Sequence, residues 1–176
     1  LRRSRTVSSK AEEGGVALWI KNILFTIVFP GVVAVGIPFL IQREPSYTLE
    51  RMFFGGIPIL FGAAGYVWCV WDFATRGRGT PFPLDPPKTL QVRGLYRFCR
   101  NPMYLSVLQV VLGFSIMFES LPALIYGGGL FLLFHLWTLL YEEPILMKTF
   151  GAAYVDYCRR TPRWIPTLKK KDAHAA

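Results

Sequence analysis

Four apolar stretches, at residues 16–41, 53–73, 102–118 and 122–141, constrain this chain more than any other feature. A hydrocarbon layer of about 30 Å takes about 20 helical residues to cross. Within such a layer every backbone N–H and C=O needs an internal partner, which leaves helices as the form open to segments of this kind. The expected fold class is therefore all-α, an integral-membrane bundle of about four transmembrane helices. Composition agrees: 52% of the 176 residues are apolar or aromatic, and the mean hydropathy is +0.34. Only Glu119, Ser120 and Leu121 separate the third stretch from the fourth, so these two form a tight antiparallel hairpin. Pro30 and Pro38 are expected to kink the first stretch rather than end it, because packed neighbours satisfy the carbonyls they free.

Charge sets the expected orientation. Of the twenty Lys and Arg residues, seventeen fall in the N-terminal segment, the middle loop 76–100 and the segment after Glu143; two lie between the first and second stretches, and Lys21 lies within the first. With four spans those seventeen share one face, which the positive-inside rule makes cytoplasmic together with both termini. The net charge of +9 is better explained by this topology and by anionic lipid than by nucleic acid, for which no basic helix or aromatic platform outside the apolar stretches is large enough. Residues 1–15 read as a solvated basic tail, 16–166 as one membrane domain and 167–176 as a second basic tail. A signal peptide at the start is disfavoured by the length of the apolar run and the lack of a small-x-small cleavage site after it. Cys69, Cys99 and Cys158 lack metal-ligand spacing, and His135 is the one histidine in any span, so neither a disulfide nor a metal is expected.

Two polar signatures flank the hairpin at the same end. Entering it is Gly94-Leu95-Tyr96-Arg97-Phe98-Cys99-Arg100-Asn101-Pro102-Met103-Tyr104; leaving it is Glu142-Glu143-Pro144, followed by Phe150-Gly151, Tyr154, Tyr157 and Pro162-Arg163-Trp164-Ile165-Pro166. Asn101-Pro102 reads as a helix start, with the Asn side chain capping the first turn and Pro at the first helical position. Free N–H groups there, with Arg100 alongside, suit an anion such as an amino-acid carboxylate. Glu142 and Glu143 have two readings: acids at the favourable N-terminus of a new helix begun by Pro144, or carboxylates that accept from ribose hydroxyls or an ammonium. Residues 144–160 form an amphipathic pattern that fits an interfacial helix, and the Phe150-Gly151 step suggests a close approach. Gly127-Gly128-Gly129 is expected to permit close helix packing.

Taken together, Leu90, Gly94, Tyr96, Arg100, Pro102 and Tyr104, then Glu142-Glu143, Phe150-Gly151, Tyr154, Tyr157, Pro162 and Pro166, resemble the superfamily of isoprenylcysteine carboxyl and phospholipid methyltransferases. The resemblance implies an integral-membrane enzyme with S-adenosylmethionine as methyl donor, held by residues 88–166 on the cytosolic side. By position it implies cofactor contacts at Lys88, Thr89, Leu90, Gln91, Tyr96, Asn101, Pro102, Met103, Tyr104 and Glu142. Asn101 and Lys88 stand where relatives carry His, and Thr138 stands where the isoprenylcysteine enzymes place an Arg against the substrate carboxylate. The acceptor is expected to be hydrophobic or amphiphilic, a lipid headgroup, prenylcysteine-like carboxylate or thiol, reached through a lateral opening lined by Leu105, Leu108 and Leu112. In-line methyl transfer needs alignment more than a nucleophile, so Arg100, Glu142 and Glu143 are the candidate catalytic groups, Glu143 as a base. The alternatives are a nicotinamide-dependent membrane reductase of the sterol-reductase type and a non-enzymatic membrane scaffold.

Overall fold

A computed structural model of the chain describes residues 30–42, 48–73, 75 and 89–167. The two basic tails apart from Thr167, the first part of the stretch 16–41 and most of the loop 76–100, Lys88 included, lie outside the described residues. Those described are helical and contain no strand. In chain order the helices are α1 (Gly31–Ile41), α2 (Leu49–Asp72), α3 (Pro102–Met117), α4 (Leu121–Phe150) and α5 (Ala152–Arg160), with a 3₁₀ turn at Gly94–Arg97.

Two of these, α2 and α4, are long and apolar enough to cross a membrane; α1 and α3 are shorter apolar helices. Their outward faces are oily: on α2, Leu49, Phe53, Phe54, Leu60, Phe61 and Val67 are each more than 60% exposed, which water would penalise and lipid would not. The inward faces build the core, where Tyr66, Cys69 and Phe73 meet Met103, Val107, Val110 and Val111 of α3 and Leu130 and Phe134 of α4. The tightest seam lies between α2 and α3. A Cβ on Gly55 would sit 2.6 Å from the Gly113 carbonyl oxygen, and one on Gly62 would sit 2.5 Å from that of Ser106, so backbone meets backbone. Between helices surrounded by hydrocarbon, such close van der Waals contact replaces the hydrophobic effect as the cohesive force. The small-residue seam expected at Gly127-Gly128-Gly129 is not there. Gly128 and Gly129 face open space, and only Gly127 comes near a neighbour, the Val111 side chain at 3.2 Å.

Local chemistry fixes the ends. Thr48 caps α2 by accepting from the Arg51 N–H, and Ser120 caps α4 by accepting from the Ala123 N–H. Between α3 and α4 the chain reverses in a Schellman motif, with Glu119 N–H donating to Ile116 and Ser120 N–H to Ser115. Glu119 occupies the left-handed position of that motif with φ +46°, where glycine is usual. Tyr126 donates to the Val33 carbonyl and ties α4 to α1.

Two expectations about the far part of the hairpin need correction. Pro144 does not begin a new helix: α4 runs unbroken from Leu121 to Phe150 through a π turn at Thr138–Glu142, where Glu143 N–H reaches the Thr138 carbonyl. Pro144 cannot donate, and its ring crowds the preceding turn; a widened turn just before it relieves both problems without ending the helix. The amphipathic segment 144–160 is likewise not one helix. It breaks at Gly151, whose φ of +52° favours glycine, while a Cβ there would meet nothing within 4 Å; the residue serves the turn, not a close approach.

Candidate functional site

The two signatures meet at one end of the bundle, and the contact is built around Glu143. Arg100 Nη1 donates to Glu143 Oε1 at 2.8 Å, while Arg163 donates through Nε to Oε1 at 2.8 Å and through Nη2 to Oε2 at 2.9 Å. The side chains of Arg100 and Glu143 are only 14% and 18% exposed, so solvent screens this bridge little. The contact with Glu143 also raises the Arg163 pKa above its ordinary value. Arg100 Nη1 lies 3.0 Å from Cys158 Sγ as well, which joins α5 to the cluster.

The segment after α5 folds back over the start of α3. Arg100 N–H donates to the Pro162 carbonyl and Thr167 N–H to that of Phe98, while the buried Cys99 Sγ lies 3.2 Å from the Arg163 carbonyl oxygen and 3.4 Å from that of Trp164. Burial is the main reason the Cys99 thiol is pushed up from its ordinary value, although the Asn101 N–H and Arg100 oppose it. Asn101 does not cap α3 as its position suggested. Its side-chain amide donates to the Arg163 carbonyl at 3.1 Å, because the returning strap claims it first. Trp164 then reaches α4, donating from Nε1 to His135 Nδ1 at 2.9 Å, so His135 is a hydrogen-bonded packing residue there.

Glu142 points elsewhere. Tyr104 Oη donates to its Oε2 at 3.0 Å, and the Tyr104 ring stacks on Phe134 at 4.6 Å. Neighbouring residues on a helix point about 100° apart, so the two adjacent carboxylates leave in different directions, one to Tyr104 and one to the arginines. Glu142 is half-buried, and among the described residues Tyr104 is its one hydrogen-bond partner, which leaves the other oxygen available. Tyr96, in the 3₁₀ turn, packs edge-on to Phe73 at 5.6 Å, and its carbonyl accepts from Tyr157 Oη at 2.7 Å. Burial first, then the nearby Cys69 and Glu142, push the Tyr96 phenol well above its ordinary pKa, so it stays a proton donor. Gly94, which opens that turn at φ +56°, presses against Asp72; an ideal Cβ there would overlap the Asp72 carboxylate.

A model of the phospholipid methyltransferase family matches residues 52–153. The chain belongs to this family. It is also 38% identical over 78 residues to methanethiol S-methyltransferase 2 of Bradyrhizobium diazoefficiens; the match covers 42% of this chain and 27% of that relative's length. No solved structure matches the chain significantly.

The phospholipid methyltransferase match takes in Arg100, Tyr104, Glu142 and Glu143 but ends before Arg163, the residue that closes the cluster. Arg163 stands in the second signature without an expected role, and the signal the sequence offers for it is an arginine between two prolines after a glutamate pair. Of the expected residues, Arg100, Asn101, Tyr104, Glu142 and Glu143 come together here, with Tyr96 beside them. Pro102 and Met103 are buried in the first turn of α3, Leu90 and Gln91 are half-buried, and Thr89 is exposed. Thr138 is 2% exposed and its hydroxyl has no partner among the described residues, unlike Ser106, Ser115 and Thr149, which bond back to their own helices. Leu105 and Leu108 are half-buried on α3, but Leu112 lines a groove at the opposite end of the bundle.

Proposed function

We propose that this chain is a multi-pass membrane methyltransferase that uses S-adenosylmethionine and acts on a hydrophobic or amphiphilic acceptor at the cytosolic face. The observation that carries the reading is the paired use of adjacent carboxylates at one end of the hairpin, Glu143 neutralised by two arginines and Glu142 left with an open oxygen beside Tyr104. Family membership supports methyl transfer over nicotinamide reduction.

The residues suit such a donor chemically. Glu142 offers an anionic acceptor for ribose hydroxyls or an ammonium, the faces of Tyr96 and Tyr104 suit a sulfonium cation, and the N–H groups of Met103 and Tyr104, in the first turn of α3, suit a carboxylate. The bound donor would supply an electrophilic methyl on a positively charged sulfur. Tyr104 holds the Glu142 carboxylate in place, and the proposed task of that carboxylate is to orient the donor. Arg100 and Arg163 occupy lone pairs of Glu143 and weaken it as a base, so Glu143 and Arg100 act as positioning groups that lock α3, α4 and the strap together. The acceptor's proton then leaves to water. Thr138 is neutral, which favours an acceptor without a carboxylate, such as a thiol or an amine. The relative named as a methanethiol S-methyltransferase supports the thiol.

Calorimetry on the detergent-solubilised chain tests this. S-adenosylhomocysteine should bind and NADPH should not; Glu142→Gln should weaken binding by roughly ten- to a hundredfold, the value of one charged hydrogen bond. Binding of NADPH in place of S-adenosylhomocysteine would overturn the reading, and undiminished affinity in Glu142→Gln would remove Glu142 from the site.

A further inference from the structure

The opposite end of the bundle carries a second feature that the proposed chemistry does not use. A groove of about 1070 Å³ opens between the start of α2, the end of α3 and the start of α4, with Phe54, Leu112, Ile116 and Leu124 among its lining. A neighbouring groove of about 900 Å³ runs along the end of α1, lined by Leu40, Ile41 and Phe118. The two share Glu119, Ser120 and Leu121, so both open onto one polar rim. On that rim Arg51 Nη2 pairs with Glu119 Oε2 at 2.6 Å, with Glu50 exposed alongside.

Among the described residues, the charge on the rim is that of a zwitterion with one extra carboxylate. A ligand with its own phosphate and ammonium can exchange with the Arg51–Glu119 pair, phosphate to arginine and ammonium to carboxylate, and leave both members of that pair compensated. A net-anionic ligand would face the excess acid. Glu119 adds an independent argument, since it holds its carboxylate at a backbone position, φ +46°, that glycine fills without strain. A charged side chain kept at a strained turn points to use of the charge. Two apolar grooves meeting at one polar rim match two acyl chains below one headgroup.

We propose that this end of the bundle binds a zwitterionic diacyl glycerophospholipid, its headgroup on Arg51 and Glu119 and one acyl chain in each groove. The site lies at the far end of α3 from Tyr104 and Glu142, and the inference is independent of the proposed methyl transfer.

Native mass spectrometry of the full chain, released from detergent with equal amounts of phosphatidylcholine, phosphatidylglycerol and lysophosphatidylcholine, tests it. Phosphatidylcholine cannot accept a further methyl on nitrogen, so its retention reads this site apart from any acceptor site. The diacyl zwitterion should be retained over the other two, and Arg51→Gln and Glu119→Gly should each lower its bound fraction by roughly tenfold. Glu119→Gly should also melt at a higher temperature, because it relieves the turn, so its loss of lipid cannot be blamed on misfolding. A phosphatidylcholine carrying a photoreactive acyl chain should label the grooves at Leu112, Leu124 or Phe118. Equal retention of phosphatidylglycerol or of the single-chain lipid, wild-type retention by both variants, or labelling confined to other surfaces would each overturn the proposal.

Discussion

Glu142 and Glu143 are chemically identical and adjacent, yet their surroundings assign them opposite tasks, and substitution should separate them. Glu143→Gln leaves two guanidinium groups facing a neutral amide in a poorly solvated cluster, so it should cost about 2–3 kcal/mol of stability, seen as a lower denaturation midpoint. Glu142→Gln keeps an oxygen to accept from Tyr104 and should melt within about 1 kcal/mol of the parent. Equal destabilisation by the two would mean that the pair acts as one structural unit. The same end of the molecule sets an alkaline limit. Cys99 and Tyr157 have ordinary values of 9.0 and 10.0, and burial raises both in the folded chain. Below about pH 9 folded and unfolded forms both keep these protons. Above it the unfolded chain gives them up first, so stability should fall as pH rises through 9 and 10. Melting temperatures between pH 7.5 and 10.5 measure this, and a flat profile would show that these groups ionise freely in the folded chain.

Helix pairs are where the sequence was partly legible. The apolar stretches announced α2, α3 and α4, and Pro102 marked the start of α3, because both signals are local. The π turn was not legible: it answers a conflict between Pro144 and the packing of the turn before it, and nothing in the spelling distinguishes a proline that starts a helix from one that a helix absorbs. Arg163 escaped for a related reason, since a residue far along the chain becomes a site residue only once the strap folds back. Glycine was misread in the same way. A run of three drew attention to α4, whereas the seam uses single glycines at 55, 62 and 113 on two different helices. Gly113→Ala tests that seam, because its Cβ would come within 2.5 Å of the Gly55 carbonyl oxygen and 2.9 Å of the Ile59 backbone nitrogen, neither of which can swing aside. The variant should lose about 1–3 kcal/mol as α2 and α3 are forced apart, while Gly128→Ala, with open space around it, should change stability by less than about 1 kcal/mol. Thermal melts of both in one detergent give the comparison, and an unperturbed Gly113→Ala would show that the seam can widen freely.

At the scale of the molecule, the bundle holds two polar ends apart across an apolar middle. The clustered carboxylates and arginines lie where α2 ends and α3 begins, while the Arg51–Glu119 rim lies where α2 begins and α3 ends. Sixteen residues of α3 at about 1.5 Å each separate the two by about 24 Å, a little less than the hydrocarbon layer. Each end can therefore sit near one membrane surface with the exposed Leu, Phe and Trp side chains of α2 and α4 in lipid between them. The proposed orientation, with the Arg100 end toward the cytosol, rests on charge rather than shape: of the eight basic residues among those described, seven lie toward the Arg100 end and one, Arg51, at the other. Cysteines placed at the exposed positions Arg93 and Glu119 should then react differently with a membrane-impermeant maleimide applied to intact cells. Glu119→Cys should label from outside, and Arg93→Cys should label only after the membrane is permeabilised. The reverse pattern would put the Glu142 cluster on the outer face, away from the cytosolic pool of S-adenosylmethionine, and would sink the proposed methyl donor along with the orientation.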